Sequence, residues 1–118
     1  MNSDDLPAPL PPLAPLRAER LADVMFALAT PSRLRILASL RAGPLTVSEI
    51  IREVGMEQSA VSHQLRVLRD HSVVSVERRG RERLYALYDA DICAVLDHAH
   101  RHVLALERSS TRGARKAS

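Results

Sequence analysis

The segment from Thr46 to Asp70, TVSEIIREVGMEQSAVSHQLRVLRD, constrains this chain more than any other. Thr46 followed three residues later by Glu49 is a capping box, in which each residue satisfies a backbone donor that the start of a helix leaves open. Val47, Ile50, Ile51 and Val54 form the apolar face of the short helix opened there, and Gly55 stops it. A second helix is predicted from about Gln58 to Asp70, burying Val61, Leu65 and Leu68. A short helix, a tight glycine-containing turn and a second helix make a helix-turn-helix.

The flanking sequence predicts what surrounds this unit. Leu21, Val24, Met25 and Leu28 recur at helical spacing, so a first helix runs from Leu16 to about Ala29. Thr30 and Pro31 are a cap and a first helical residue, and Leu34, Leu37, Ala38 and Leu40 carry a second helix until Gly43-Pro44. After Asp70 the period shortens. Val74, Val76, Leu84 and Ala86 alternate with polar residues on either side of Arg79-Gly80, which predicts a two-stranded hairpin. Asp89 then caps a long last helix with Ile92, Val95, Leu96, Ala99, Val103 and Leu106 on one stripe. The expected fold is mainly α with a small β-hairpin wing: a winged helix-turn-helix of four helices, two strands and a fifth helix.

Five of the seven prolines precede Leu16, so residues 1–15 are expected to form a disordered Pro-rich arm. The domain proper is expected over residues 16–107, followed by a disordered basic tail over 108–118, which has almost nothing to bury. No apolar run approaches the ~18 residues of a membrane span, and Asp4 and Asp5 stand where a secretory leader would be basic. A cytoplasmic protein without a membrane partner is the expectation. The single cysteine, Cys93, excludes an intrachain disulfide and is read as a small buried hydrophobe.

Charge narrows the function. The net charge is +3, and all but one of the seventeen cations are arginine, which allows a polyanionic partner. Phe26, Tyr85 and Tyr88 are too few for stacking unpaired bases, so duplex is favoured over single strands. Gln58, Ser59, Ser62, His63 and Arg66 fall opposite the apolar side of the predicted Gln58–Asp70 helix, as a major-groove reader requires. Arg78, Arg79, Arg81 and Arg83, against Glu77 and Glu82, concentrate positive charge at the hairpin, where it can approach phosphates. Alone, a polar helix face is only solvated and hairpin arginines only protect an edge; together they favour duplex DNA. His71, ending the helix, reads as a partner for its dipole.

The stretches TPSRLRILASL, QSAVSHQLRVLRD and RRGRERLYAL, between Pro31 and Tyr88, resemble the ArsR/SmtB family of bacterial metal-responsive winged-helix repressors. The first and last helices extend the likeness over almost all of Leu16 to Glu107. The resemblance implies a homodimer joined through those two helices, a DNA-bound state favoured without the inducing ion, and Ser59, Ser62, His63 and Gln64 at the major groove.

The same resemblance bears on metal. Where some members carry ELCVCDL, this chain has PLTVSEI, with Thr46 and Ser48 in place of the cysteines, so soft thiophilic ions are poor candidates. The family's site on the last helix, Asp-x-His, ten residues, His, two residues, Glu or His, is matched by Asp89, by Asp91 in place of His, and by His102, with Ala105 in the fourth position. Asp91 and His102 share a face but lie roughly 16 Å apart along one helix. A shared ion would therefore have to bridge two antiparallel copies, with His98 on the same face in place of Ala105. Such ligands suit nickel, zinc or cobalt. Asp89 is equally explained as a helix cap, and His100 and Cys93 point to the other side.

The resulting expectation is a sequence-specific transcription regulator that binds palindromic operator DNA as a dimer and responds to a divalent ion, nickel or zinc. Two alternatives stay open: the same regulator with a degenerate metal site, switched by a regulatory partner protein, and a protein-interaction winged helix without a DNA role. An enzyme is not expected, because no phosphate loop, activated nucleophile or open catalytic metal motif is present.

Overall fold

A computed structural model describes residue 6 and residues 8–117, with side chains through residue 110. The elements are α1 (Pro15–Leu28), α2 (Pro31–Ser39), α3 (Val47–Val54), α4 (Gln58–Asp70), β1 (Val74–Arg79), β2 (Glu82–Leu87) and α5 (Ala90–Ala117), the predicted order.

The helix starts form as their sequences dictate. Thr30 Oγ1 accepts from the Arg33 amide at 3.2 Å, with Pro31 entering the first turn of α2. In the α3 capping box the Glu49 amide donates to Thr46 Oγ1 at 3.3 Å, and the Thr46 amide to Glu49 Oε1 at 3.0 Å. Gly55 closes α3 at φ 68°, a left-handed conformation that glycine adopts without a Cβ penalty. Asp89 Oδ1 accepts from the Ile92 amide at 3.0 Å and caps α5.

One core joins these elements. Ile36 and Leu37 of α2, Ile50 and Val54 of α3, and Val61, Leu65 and Leu68 of α4 are buried together with Val73, Val74 and Tyr85. The α2–α3 connection is stapled to the wing where Leu45 and Tyr85 exchange backbone bonds of 2.9 and 2.8 Å. That bridge sets the hairpin beside the start of α3.

Three expectations need correction. Register pairs Val74 with Leu87 and Val76 with Tyr85, so the inward residues of β2 are Tyr85 and Leu87, whereas Leu84 and Ala86 oppose Glu77 and Ser75. A one-residue register difference exchanges the two faces of a strand. The turn is Gly80-Arg81, with Gly80 at φ 65°, and any two-residue turn pairs an even-numbered residue with an odd-numbered one, so the even-numbered valines of β1 share their face with the odd-numbered residues of β2. Next, α5 continues past Glu107 to Ala117, over part of the segment expected to be a disordered tail: loss of apolar residues ends burial, but no proline interrupts the backbone bonds. Finally, Cys93 is only half-buried, on a helix that the core touches along one edge. The apolar stripes of α1 and α2 are only partly covered, with Leu21, Met25 and Leu34 being 45%, 50% and 44% exposed. Among the described residues, no helix is long and apolar enough to cross a membrane.

Candidate nucleic-acid interface

The outward face of α4 carries Gln58, Ser59, Ser62, His63 and Arg66, all exposed, while Val61, Leu65 and Leu68 anchor the opposite face. This is the division expected of a helix held by the domain and offered to a groove. Gln64 differs. It is half-buried, and its Oε1 accepts from Arg33 Nε at 2.7 Å, so this side chain braces α4 against α2 rather than standing free.

A cleft of about 670 Å³ separates α4 from the wing; Ser62, His63, Arg66, Arg69 and Arg83 line it. Arg69 escaped the sequence reading, although its spacing of three from Arg66 and seven from Ser62 places it on the same helical face. A second cleft, about 630 Å³, lies between the start of α3 and the wing, where Ser48, Arg52, Arg81 and Arg83 meet. Arg78 faces Arg83 directly across the hairpin. Like charges opposite one another destabilise a strand pair, so the hairpin itself gains nothing from this arrangement. None of Arg66, Arg69, Arg78, Arg79, Arg81 and Arg83 forms an ion pair among the described residues. Their charge is available to an external anion.

His71 Nδ1 lies 2.9 Å from the Val67 carbonyl, consistent with a side chain that satisfies the end of α4.

The candidate metal face is on α5. Asp91, His98 and His102 are exposed and share one side of the helix, with His98 and His102 one turn apart. Asp89 is committed through Oδ1 to the Ile92 amide. Among the described residues, no three His, Cys, Asp or Glu side chains of the single chain converge on a point. The oxygen and imidazole donors fit a divalent transition ion chemically, but one chain offers only part of a ligand set.

One ion pair ties α5 to the DNA-facing unit. Arg41, just after α2, donates from Nε and Nη2 to both Asp97 carboxylate oxygens at 2.8 Å. The Arg41 hydrogen bonds hold the Asp97 carboxyl below its ordinary range, and the Thr46 backbone bond does the same for Glu49. A carboxyl depressed in the folded state contributes stability above its ordinary pKa of about 3.9 to 4.3, and that contribution is lost as pH falls through the lower folded value. Acid unfolding followed by circular dichroism should therefore show a loss of stability below about pH 4 that is shallower in Asp97→Asn; identical slopes would discount the pair.

Residues 30–76 match the sequence pattern described as "Bacterial regulatory protein, arsR family". The HTH-type transcriptional regulator NmtR of Mycobacterium tuberculosis is 51% identical over 94 residues, spanning 80% of this chain and 78% of that protein. The chain belongs to the arsR family. Its fold agrees with the solution structure of apo-NmtR (TM-score 0.66, 48% identity, covering 86% of this chain and 85% of that one). It agrees also with a homodimeric winged helix-turn-helix DNA-binding domain of Mycobacterium bovis (TM-score 0.68, 29% identity, covering 80% and 85%). This arsR-family chain is thus a winged helix-turn-helix transcriptional regulator and not an enzyme.

Proposed function

We propose that this arsR-family protein acts in the cytoplasm as a homodimeric repressor that binds an inverted-repeat operator and responds to a divalent transition ion. The observation that carries the DNA reading is the row of unpaired arginines on α4 and the wing, beside an exposed polar helix face on the same side. In this reading Gln58, Ser59, Ser62 and His63 meet base edges. Arg66, Arg69, Arg78, Arg79, Arg81 and Arg83 hold phosphates, and Gln64 positions α4 through Arg33. Residues 16–107 form the DNA-binding and dimerisation domain. A two-fold dimer would present the paired helices about one turn, ~34 Å, apart.

Arg79→Ala with Arg81→Ala tests this reading. Each phosphate contact lowers the slope of log K against log salt by about 0.9, so the double variant should lose a slope of about 2 and bind roughly 30-fold more weakly at about 0.15 M salt. An unchanged slope in a gel-shift titration would remove the wing from the interface and favour a protein-interaction winged helix.

The dimer reading rests on the apolar residues that α1 and α5 leave exposed, and on the homodimeric state of the Mycobacterium bovis relative. Asp91, His98 and His102 from two copies would hold nickel or zinc, with Asp89 contributing only the oxygen its cap leaves free. When bound, the ion would supply a divalent link between subunits. Its coupling to DNA is reciprocal and typically about 1–3 kcal/mol. Nickel and zinc should each be titrated against the operator complex, with a chelator as control. The effective ion should weaken DNA binding by about 5- to 150-fold, and Asp91→Ala with His102→Ala should abolish the response. A response that survives in this variant would place the sensing elsewhere.

A further inference from the structure

A third concavity, of about 520 Å³, lies between α2 and α5, away from the DNA-facing clefts. Leu34, Ala38, Leu96, Ala99 and Val103 give it an apolar lining. His100 also lines it, and at 100° per residue His100 points opposite Asp91, His98 and His102, so the groove and the candidate metal face occupy different sides of α5.

We propose that this groove binds an amphipathic organic anion, an aliphatic carboxylate of medium chain length. Its volume falls within the ~300–1,000 Å³ of small-molecule sites, and its make-up, apolar walls with a few polar groups, matches theirs. The charge at the rim selects the head group. Both oxygens of Asp97 are taken by Arg41, which neutralises the only carboxylate in the lining. Arg35 remains: its Nη2 donates to the Val54 carbonyl, a neutral partner, so its positive charge is uncompensated. Beside apolar walls that guanidinium lacks a counter-charge. A carboxylate supplies one.

The groove also touches the machinery of the helix-turn-helix. Val54 is the last residue of α3, directly before the Gly55 turn, and Arg33, next to Leu34, holds Gln64 of α4. An anion that draws Arg35 from Val54 releases the end of α3. Resting on the DNA reading above, this loosens the seating of α4 and lowers operator affinity.

The test is an NMR titration of the isotope-labelled full chain with decanoate, kept below its self-aggregation concentration, beside decan-1-ol and decyltrimethylammonium. Decanoate should give saturable shifts centred on Leu34, Ala38, Ala99 and Val103, the alcohol should bind at least tenfold more weakly, and the ammonium should not bind. Asp97→Asn frees Arg41 and should tighten decanoate binding, whereas Ala99→Phe, at an exposed position, should fill the groove and abolish it without lowering the melting temperature. No shifts, equal binding of the three probes, or binding that survives Ala99→Phe would overturn the proposal. So would absent binding together with self-association that Ala99→Phe disrupts, because a second copy then fills the groove. Operator binding measured with and without decanoate separates the two readings. A chain that takes decanoate but no DNA keeps the site and refutes the proposed function; one that binds DNA but not decanoate loses only the groove.

Discussion

Phe26→Glu together with Leu106→Glu is expected to leave each protomer folded and to cost the protein its operator. Phe26 and Leu106 are 75% and 55% exposed, so neither supports the core of its own chain. Both lie on the helices that carry uncovered apolar residues, with Leu21 and Met25 on α1 and Val95 and Leu104 on α5. An exposed apolar patch of this extent marks an interaction surface. Burying two carboxylates in it carries a desolvation cost with no compensating partner. Once the dimer separates, binding to two half-sites loses the effective concentration that joins them, and affinity for an inverted repeat should fall by about 10²- to 10⁴-fold. Sedimentation and gel-shift assays at matched concentration check this, with circular dichroism confirming the fold. A variant that stays dimeric with unchanged affinity would refute a dimer through α1 and α5.

Leu68→Ala should produce the largest loss of stability. Leu68 is fully buried in α4, and its carbonyl accepts from the Val73 amide at 2.9 Å, where the chain turns through Ser72 into β1. Removing the side chain leaves a cavity between α4 and the hairpin, and such substitutions cost about 2–5 kcal/mol. In a protein of marginal stability that is a large share of the total. Urea unfolding at a fixed protein concentration measures it, since dimerisation makes stability concentration-dependent. A cost below about 1 kcal/mol would mean that the site collapses around the smaller residue.

The wing shows how far sequence reasoning reaches. Alternation identified a hairpin, and the arginines at its tip, but a two-residue turn sets Val74 and Val76 opposite Leu87 and Tyr85, so the odd-numbered residues of β2 face inward. Leu45 pairs with Tyr85 from outside the hairpin, a contact between segments forty residues apart that no local pattern encodes. Gln64 is the parallel case within the candidate site. Its position in SAVSHQLRVLR assigns it to the groove, yet Arg33, from α2, takes its oxygen. Arg69, by contrast, was legible from helical spacing alone and needed only the same wheel extended by one turn.

Local chemistry decided the elements. Capping pairs, glycine stops and apolar periodicity act through neighbours within about one turn, so Thr46 with Glu49, Gly55, and the stripe Val61, Leu65 and Leu68 specified a helix-turn-helix and its outward polar face before any packing was known. Only the tertiary arrangement decided which arginines lack partners, that Leu45 pairs with Tyr85, that Arg41 clasps Asp97, and that α2 and α5 leave a groove between them. Those outcomes depend on distances between residues far apart in the chain, which are set by how the helices pack and not by the order in which residues occur.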